Sequence, residues 1–268
     1  MKRTVSNTTV ILLILFSTLS CTKVVNINLN SSAPKIIIES SISDQPSSCS
    51  VKLSMTVNYD EPNVFPAVTG SLVTISDESG NKAKLNETSR GFYSATSFKG
   101  VPGRTYTVSV TAGGKTYTAI SKMPDPVKID TIYQESFNRG NYGGGGILKF
   151  VVIKYKDPEG NENFYRFIEK INKNETNAIY LDSDKLRDGN IITQNIIRTE
   201  PSLQTGDSVR IFLLTIDKNI FNYFVQLSQI TNNYGPAATP ANPISNFSNG
   251  ALGYFSAFSV RSLSIVIK

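Results

Sequence analysis

Three aspartates in one short segment are the residues of this sequence best suited to ligand chemistry. The segment "LDSDKLRDGN", residues 181–190, contains Asp182, Asp184 and Asp188. Carboxylate oxygens are the ligands that Ca²⁺ prefers, although the spacing does not match an EF-hand loop, which ends in a glutamate at position twelve. The alternative is a solvated turn, in which aspartates bond nearby backbone groups. We therefore predict no metal site and no cofactor, and keep these three residues as calcium candidates.

A second acidic segment could support hydrolysis. "DPEGNENFYRF", residues 157–167, places Asp157, Glu159 and Glu162 just before a predicted strand. A glycosidase needs two carboxylates roughly 5 to 10 Å apart across a cleft, and distance along the chain does not define a cleft. The chain has no histidine, which excludes Ser-His-Asp catalysis and His-ligated metals. We predict a protein without catalytic activity and keep a carboxylate-dependent hydrolase as one alternative.

Cys21 is a further candidate for chemistry, because of the residues that precede it. Lys2 and Arg3 follow the initial methionine, and the chain is apolar from residue 10 to residue 16 before it reaches small residues. This is the order of a secretory signal, and the apolar run is too short to cross a hydrocarbon core of roughly 30 Å. The junction Ser20-Cys21 resembles a bacterial lipoprotein box, which would make Cys21 the lipidated first residue of the mature chain. The alternative is an exported protein with a free Cys21.

This interpretation divides the start of the chain into a signal peptide, residues 1–20, and a lipidated tether, residues 21–34. Lipidation would leave Cys49 as the single thiol, and we expect it to be a small half-buried residue because no base lies near it in sequence. The leader carries two of the 27 basic residues, so the mature chain has a net charge of about +4 against 21 acidic residues. The basic residues are scattered, so nucleic-acid binding is not predicted.

The next region, residues 35–124, is predicted to form an immunoglobulin-like or transthyretin-like β-sandwich. It contains short segments rich in Val, Ile, Thr and Tyr that are separated by turn sequences such as "ESGN" and "AGGK". In "TYTVSVTA", residues 105–112, Tyr106, Val108 and Val110 alternate with hydroxyl residues. One face of that strand should be buried and the other solvated.

Residues 125–268 are predicted to form a second β-rich domain with one helix. The prolines of "MPDPVKID" block both helix and central strand and mark the boundary. The helix is expected near residues 217–232, where Asp217 can cap its first turn. Its apolar residues recur at spacings of three and four, so one face should pack on the sheet.

Two triplets in this second region resemble O-glycosylation sites of exported Bacteroidota proteins. They are Asp130-Thr131-Ile132 and Asp207-Ser208-Val209. Strand starts also produce such triplets by chance, so glycosylation of Thr131 or Ser208 is left as a hypothesis, and an intact mass equal to polypeptide plus lipid would contradict it.

Several segments together resemble the Bacteroidota lipoprotein family known as domain of unknown function 4249, and the likeness runs from Cys21 to the C-terminus. The segments are "TKVVNINLNSSAPKIIIES", "GFYSATSFKGVPGRTYTVSV", "MPDPVKIDTIY", "DPEGNENFYRF" and "NPISNFSNGALGYFSAFSV". The last, residues 242–260, is the most specific, because Asn246, Gly250 and Gly253 match the family's ending. We expect this block to be a conformational clasp without a ligand, since glycine and alanine supply no chemical groups.

The resemblance implies a lipid-anchored outer-membrane protein that is a non-catalytic binding or accessory partner of a TonB-dependent receptor in nutrient uptake. Many family members carry acidic residues after the cysteine, whereas "CTKVVNINL" has asparagines, which leaves both the cell surface and the periplasmic face open. A carbohydrate-binding lipoprotein is a further alternative. Its usual signature is exposed aromatic rings, and the chain has 12 tyrosines but no tryptophan.

Overall fold

The computed structural model describes residues 33–58, 61–140, 145–198, 201–231 and 242–268. The predicted signal peptide, Cys21 and nearly all of the predicted tether lie outside these residues. No helix in the described ranges is long and apolar enough to cross a membrane.

The described part of the chain is mainly β, as predicted, with fifteen strands and one helix. In chain order the strands are β1 (Ile36–Ser43), β2 (Cys49–Met55), β3 (Leu72–Asp77), β4 (Lys82–Ser89), β5 (Phe92–Ala95), β6 (Thr105–Ala112), β7 (Lys115–Lys122), β8 (Ile129–Asn138), β9 (Ile147–Lys156), β10 (Phe164–Ile171), β11 (Asn174–Glu175), β12 (Tyr180–Ser183), β13 (Ile191–Ile196), β14 (Ser208–Ile216) and β15 (Leu252–Val266). Helix α1 (Lys218–Thr231) lies between β14 and β15.

The first seven strands form the predicted β-sandwich. Hydrogen-bonded neighbours follow the order β1-β2-β5-β4-β3-β6-β7, and buried side chains from both ends of this path share one core. On β6, Tyr106, Val108 and Val110 are fully buried while the residues between them are not. The alternation in the sequence therefore predicted the correct buried face.

Residues after 123 build a second core between two sheets. Strands β9 and β13 supply residues such as Tyr155 and Ile192, and strands β10 and β14 supply residues such as Phe167 and Ile211 from the opposite side. Helix α1 covers the other face of β10 and β14, where Ile220 and Phe224 are buried. The helix begins as predicted, because the Asp217 carboxylate accepts the Ile220 backbone N–H at 3.0 Å.

A single long strand, β15, joins the two cores. Its first half pairs in parallel with β1, from Leu252 opposite Ile37 to Phe258 opposite Ser43. Its second half pairs antiparallel with β14, and its end residue Val266 lies opposite Ser208. The sequence analysis assigned all of residues 125–268 to the second region, whereas side chains between residues 247 and 257 enter the first core.

Candidate functional site

Strand pairing brings the two acidic segments of the sequence together at one end of the second core. Strand β10 pairs with β12, which places Asn163 beside Asp184. The Asp184 backbone N–H donates to the Asn163 C=O at 3.2 Å. Strand β13 pairs with β9, and the Asp157 N–H donates to the Asn190 C=O at 3.0 Å. The loop after β9 and the loop after β12 therefore lie side by side.

Three carboxylates converge where these loops meet, and we call them the acidic cluster: Asp157, Asp184 and Asp188. One oxygen from each lies within 4.8 Å of the others, and the first two residues are buried while Asp188 is exposed. Asp182, a sequence candidate, lies apart because its carboxylate accepts from the Tyr155 hydroxyl at 3.0 Å and pairs with Arg187. The structure thus brings Asp184 and Asp188 together with Asp157, which the sequence had suggested only for hydrolysis.

Each carboxylate of the acidic cluster also holds the loops in place. The Tyr165 hydroxyl and the Gly189 N–H donate to Asp157. The Asn163 N–H donates to Asp184 at 2.8 Å, and the Gly160 N–H donates to Asp188 at 2.9 Å. Asp157 has no exposed surface, so a substrate cannot reach it without moving the loops. The arrangement offers oxygen ligands to a hard cation more readily than it offers an acid and a base across a cleft.

The acidic cluster leaves Asp184 with an unfavourable negative charge. Burial is the main cause that raises the pKa of Asp184, and the carboxylates of Asp157, Asp188 and Glu162 raise it further, against the opposing hydrogen bond from Asn163. Ionised Asp184 therefore costs stability at neutral pH. The cost is complete above the raised pKa, shrinks as the pH falls through it, and is gone below the ordinary value of 3.8.

We expect Asp184→Asn to stabilise the protein at pH 7 in the presence of a chelator. The amide oxygen can still accept the Asn163 N–H, and the like-charge repulsion is removed, so the gain should be up to about 1 kcal/mol, the scale of single charge interactions near a surface. Urea unfolding followed by circular dichroism measures it. The gain should disappear as the pH approaches 4.

Asp207→Asn is the opposite-sign control for that measurement. The Gln204 N–H at 2.8 Å and the Asn172 amide at 2.7 Å lower the pKa of Asp207, so its ionised form stabilises the fold above its ordinary pKa and the variant should be less stable at pH 7. A stability of Asp184→Asn equal to or below that of the wild type at pH 7 would contradict the expected repulsion.

The calcium hypothesis is tested by adding calcium to the wild type and to Asp184→Asn. An occupied site would raise the melting temperature of the wild type but not of Asp184→Asn.

The structure also contains a groove of about 620 Å³, which we call the amide groove. Its walls are strand β7, helix α1 and the segment 244–248. The lining residues are Thr118, Ala119, Ile120, Asn219, Asn222, Tyr223, Gln226, Ile244, Ser245, Asn246, Phe247 and Ser248. None of these twelve side chains is charged. No pattern in the sequence predicted this groove, because its walls come from distant parts of the chain.

Residues 242–260, which were predicted to be a clasp without a ligand, are tied to β7 and β15 by hydrogen bonds, and residues 244–248 of this segment form one wall of the amide groove. The Asn246 side chain accepts the Phe255 N–H at 2.9 Å and donates to the Phe255 C=O at 2.8 Å and the Ile120 C=O at 3.2 Å. The Ser248 N–H donates to the Thr118 C=O at 2.8 Å. Because Ile120 and Thr118 belong to β7, this segment closes the open edge of the first sandwich.

The remaining candidate residues have simple environments. Cys49 is fully buried at the start of β2, not half-buried as predicted, because its strand packs into the first core. Burial raises the pKa of its thiol to about 12, so it is not reactive at neutral pH. Thr131 and Ser208 are exposed on their strands. Cys21 lies outside the described residues.

Comparisons with known proteins identify relatives at the family level. Residues 22–264 match the family described as domain of unknown function (DUF4249). A search of the curated proteins finds no match. Among solved structures, a two-domain fibronectin type-III segment from chicken tenascin has a TM-score of 0.21 and 12% sequence identity, and the alignment covers 69% of this chain and 91% of that one.

Proposed function

We propose that this chain, which belongs to the family of domain of unknown function 4249, is a lipid-anchored outer-membrane lipoprotein that binds a ligand without catalysing a reaction. It would act as an accessory component of a TonB-dependent nutrient uptake system. The observation that carries the binding role is the amide groove. Its volume of about 620 Å³ is within the range of about 300 to 1,000 Å³ that is usual for small-ligand sites.

Two walls of the amide groove, helix α1 and the segment 244–248, support binding because each is held in place by well-packed or hydrogen-bonded residues. Helix α1 is fixed to the sheet by Ile220 and Phe224, which are almost fully buried. The opposite wall is fixed by the hydrogen bonds of Asn246 to Phe255 and Ile120. A groove whose walls are held in this way is largely formed before a ligand arrives, which lowers the entropic cost of binding.

The membrane anchor rests on the sequence around Cys21, and metabolic labelling tests it. We expect an alkyne fatty acid fed to the native host to label the wild type and not Cys21→Ala, since acylation needs the thiol. More than one acyl chain would be required for firm attachment, because a single chain binds a membrane only marginally. Protease shaving of intact cells then reports the membrane face. Equal labelling of both proteins, or of neither, would refute the anchor.

The accessory role is tested by crosslinking in intact cells followed by purification of this protein. We expect a TonB-dependent receptor to be recovered with the wild type. Cys21→Ala is the control, because a protein released from the membrane should lose most of that recovery. Repeated purifications that recover no such receptor would rule out the association while leaving a binding role at the amide groove to be tested separately.

A further inference from the structure

We propose that the amide groove binds a neutral oligosaccharide, an inference that rests on the binding role proposed above. The groove combines uncharged hydrogen-bonding groups with exposed apolar side chains, and the structure favours a sugar over a charged ligand and over an extended peptide for three separate reasons.

The first reason is charge. All twelve described residues that line the groove have neutral side chains, whereas sites for phosphates, carboxylates or amines place an opposite charge against the ligand because such pairs give the strong hydrogen bonds. A charged ligand would lose part of its hydration here and gain no counter-charge from the lining. The lining therefore selects against charged ligands.

The second reason is the arrangement of amides on helix α1. Asn219, Asn222 and Gln226 are spaced at i, i+3 and i+7 and so share one face of the helix, which is the face that lines the groove. The side chains of Asn219 and Asn222 are exposed and have no hydrogen-bond partner among the described residues. Gln226 uses its oxygen to accept the Ile244 N–H at 2.8 Å.

These amides suit the hydroxyl groups of a sugar. A primary amide offers two N–H donors and one oxygen acceptor, and a sugar hydroxyl is both a donor and an acceptor. On the opposite side, Ile120 and Ile244 are 59% and 75% exposed. Their side chains can cover the C–H faces of a sugar ring, which gains free energy in proportion to the apolar area buried.

The third reason is that a peptide finds little free backbone in this groove. An extended peptide binds a sheet edge through backbone hydrogen bonds, and β7 is the edge strand here. The protein's own clasp occupies that edge, because the carbonyls of Thr116, Thr118 and Ile120 accept from Asn249, Ser248 and Asn246. The Thr118 N–H also donates to the Ser248 hydroxyl at 2.9 Å. Recognition is left to side chains, which favours a sugar.

The test is a glycan array containing neutral and acidic oligosaccharides, probed with the full chain in a detergent that has no sugar headgroup. The strongest neutral glycan is then titrated by calorimetry into the wild type, Asn222→Leu and Gln229→Leu. Asn222→Leu removes an exposed groove amide at similar volume. Gln229→Leu makes the same kind of change on an exposed residue of α1 that does not line the groove. We expect neutral glycans to bind, Asn222→Leu to weaken binding about tenfold, and Gln229→Leu to leave it unchanged.

Three results would overturn the sugar proposal: binding of acidic glycans alone, binding of no glycan, or a neutral-glycan affinity that Asn222→Leu leaves unchanged. A parallel titration with a pool of neutral hexapeptides separates this failure from failure of the proposed function. Peptide binding that Asn222→Leu abolishes would refute the sugar and keep the binding role at the groove. Binding of neither probe would refute the sugar and remove the support that the groove gives to a binding role.

Discussion

Gly253→Ala is expected to cost about 3 kcal/mol or more of folding free energy, a large fraction of the roughly 5 to 15 kcal/mol that stabilises a typical folded domain. Gly253 is buried in β15 opposite Ile38 of β1, with a φ of +95°. A Cβ at this position would lie 2.1 Å from the Ile38 carbonyl oxygen. The substitution combines a backbone conformation that L-residues avoid with an overlap that only a shift of β1 or β15 could relieve, and both cores share β15.

Urea unfolding measures this loss, with Gly250→Ala as the matched control. Gly250 also has a positive φ, +72°, but a Cβ there would meet nothing within 4 Å. The control should therefore lose only the conformational cost of about 1 kcal/mol. Equal losses for the two variants would show that the close approach of β15 to β1 does not affect the free energy of unfolding, and would contradict the pairing of Gly253 with Ile38.

Asn246→Ala is expected to be the second most damaging change, with a loss of about 2 to 3 kcal/mol. The variant removes both partners of the Phe255 backbone and the donor to the Ile120 carbonyl. A buried backbone group left without a partner costs about 1 to 3 kcal/mol. Because the Asn246 side chain connects β7 to β15, we also expect limited proteolysis to cut the variant near residue 246 before it cuts elsewhere.

Asn222→Ala is the control for Asn246→Ala. It truncates an exposed asparagine whose side chain has no hydrogen-bond partner among the described residues, so it should change the free energy of unfolding by no more than about 0.5 kcal/mol. A loss for Asn246→Ala as small as that would mean that water replaces its three hydrogen bonds. The clasp would then contribute little to the closure of the first sandwich.

The strands and the helix were predictable because their signals are local. The alternation in β6 depends on neighbouring side chains pointing to opposite faces, and Tyr106, Val108 and Val110 are buried as that rule requires. The start of α1 was predictable for the same reason, since a cap at Asp217 needs only the next turn of chain. The family was also predictable, because its motifs are short and consecutive.

The acidic cluster and the amide groove both depend on contacts between residues that are distant in the sequence. Asp157 and Asp184 are separated in sequence and meet because β9 pairs with β13 and β10 pairs with β12. The amide groove likewise needs β7, α1 and residues 244–248 to converge. Sequence periodicity gives the face of each strand but not its partner, so neither grouping could be derived from it.

By itself, the sequence determined the mainly β class, the helix, the exclusion of histidine-dependent catalysis and metal binding, and the family. Each of these depends on residue types or on spacings within one segment. The tertiary structure alone decided that Asp182 lies apart from the acidic cluster, that Gly253 must lack a side chain, and that one strand serves two cores. Those properties follow from strand order and register, which are set by the packing of the whole chain.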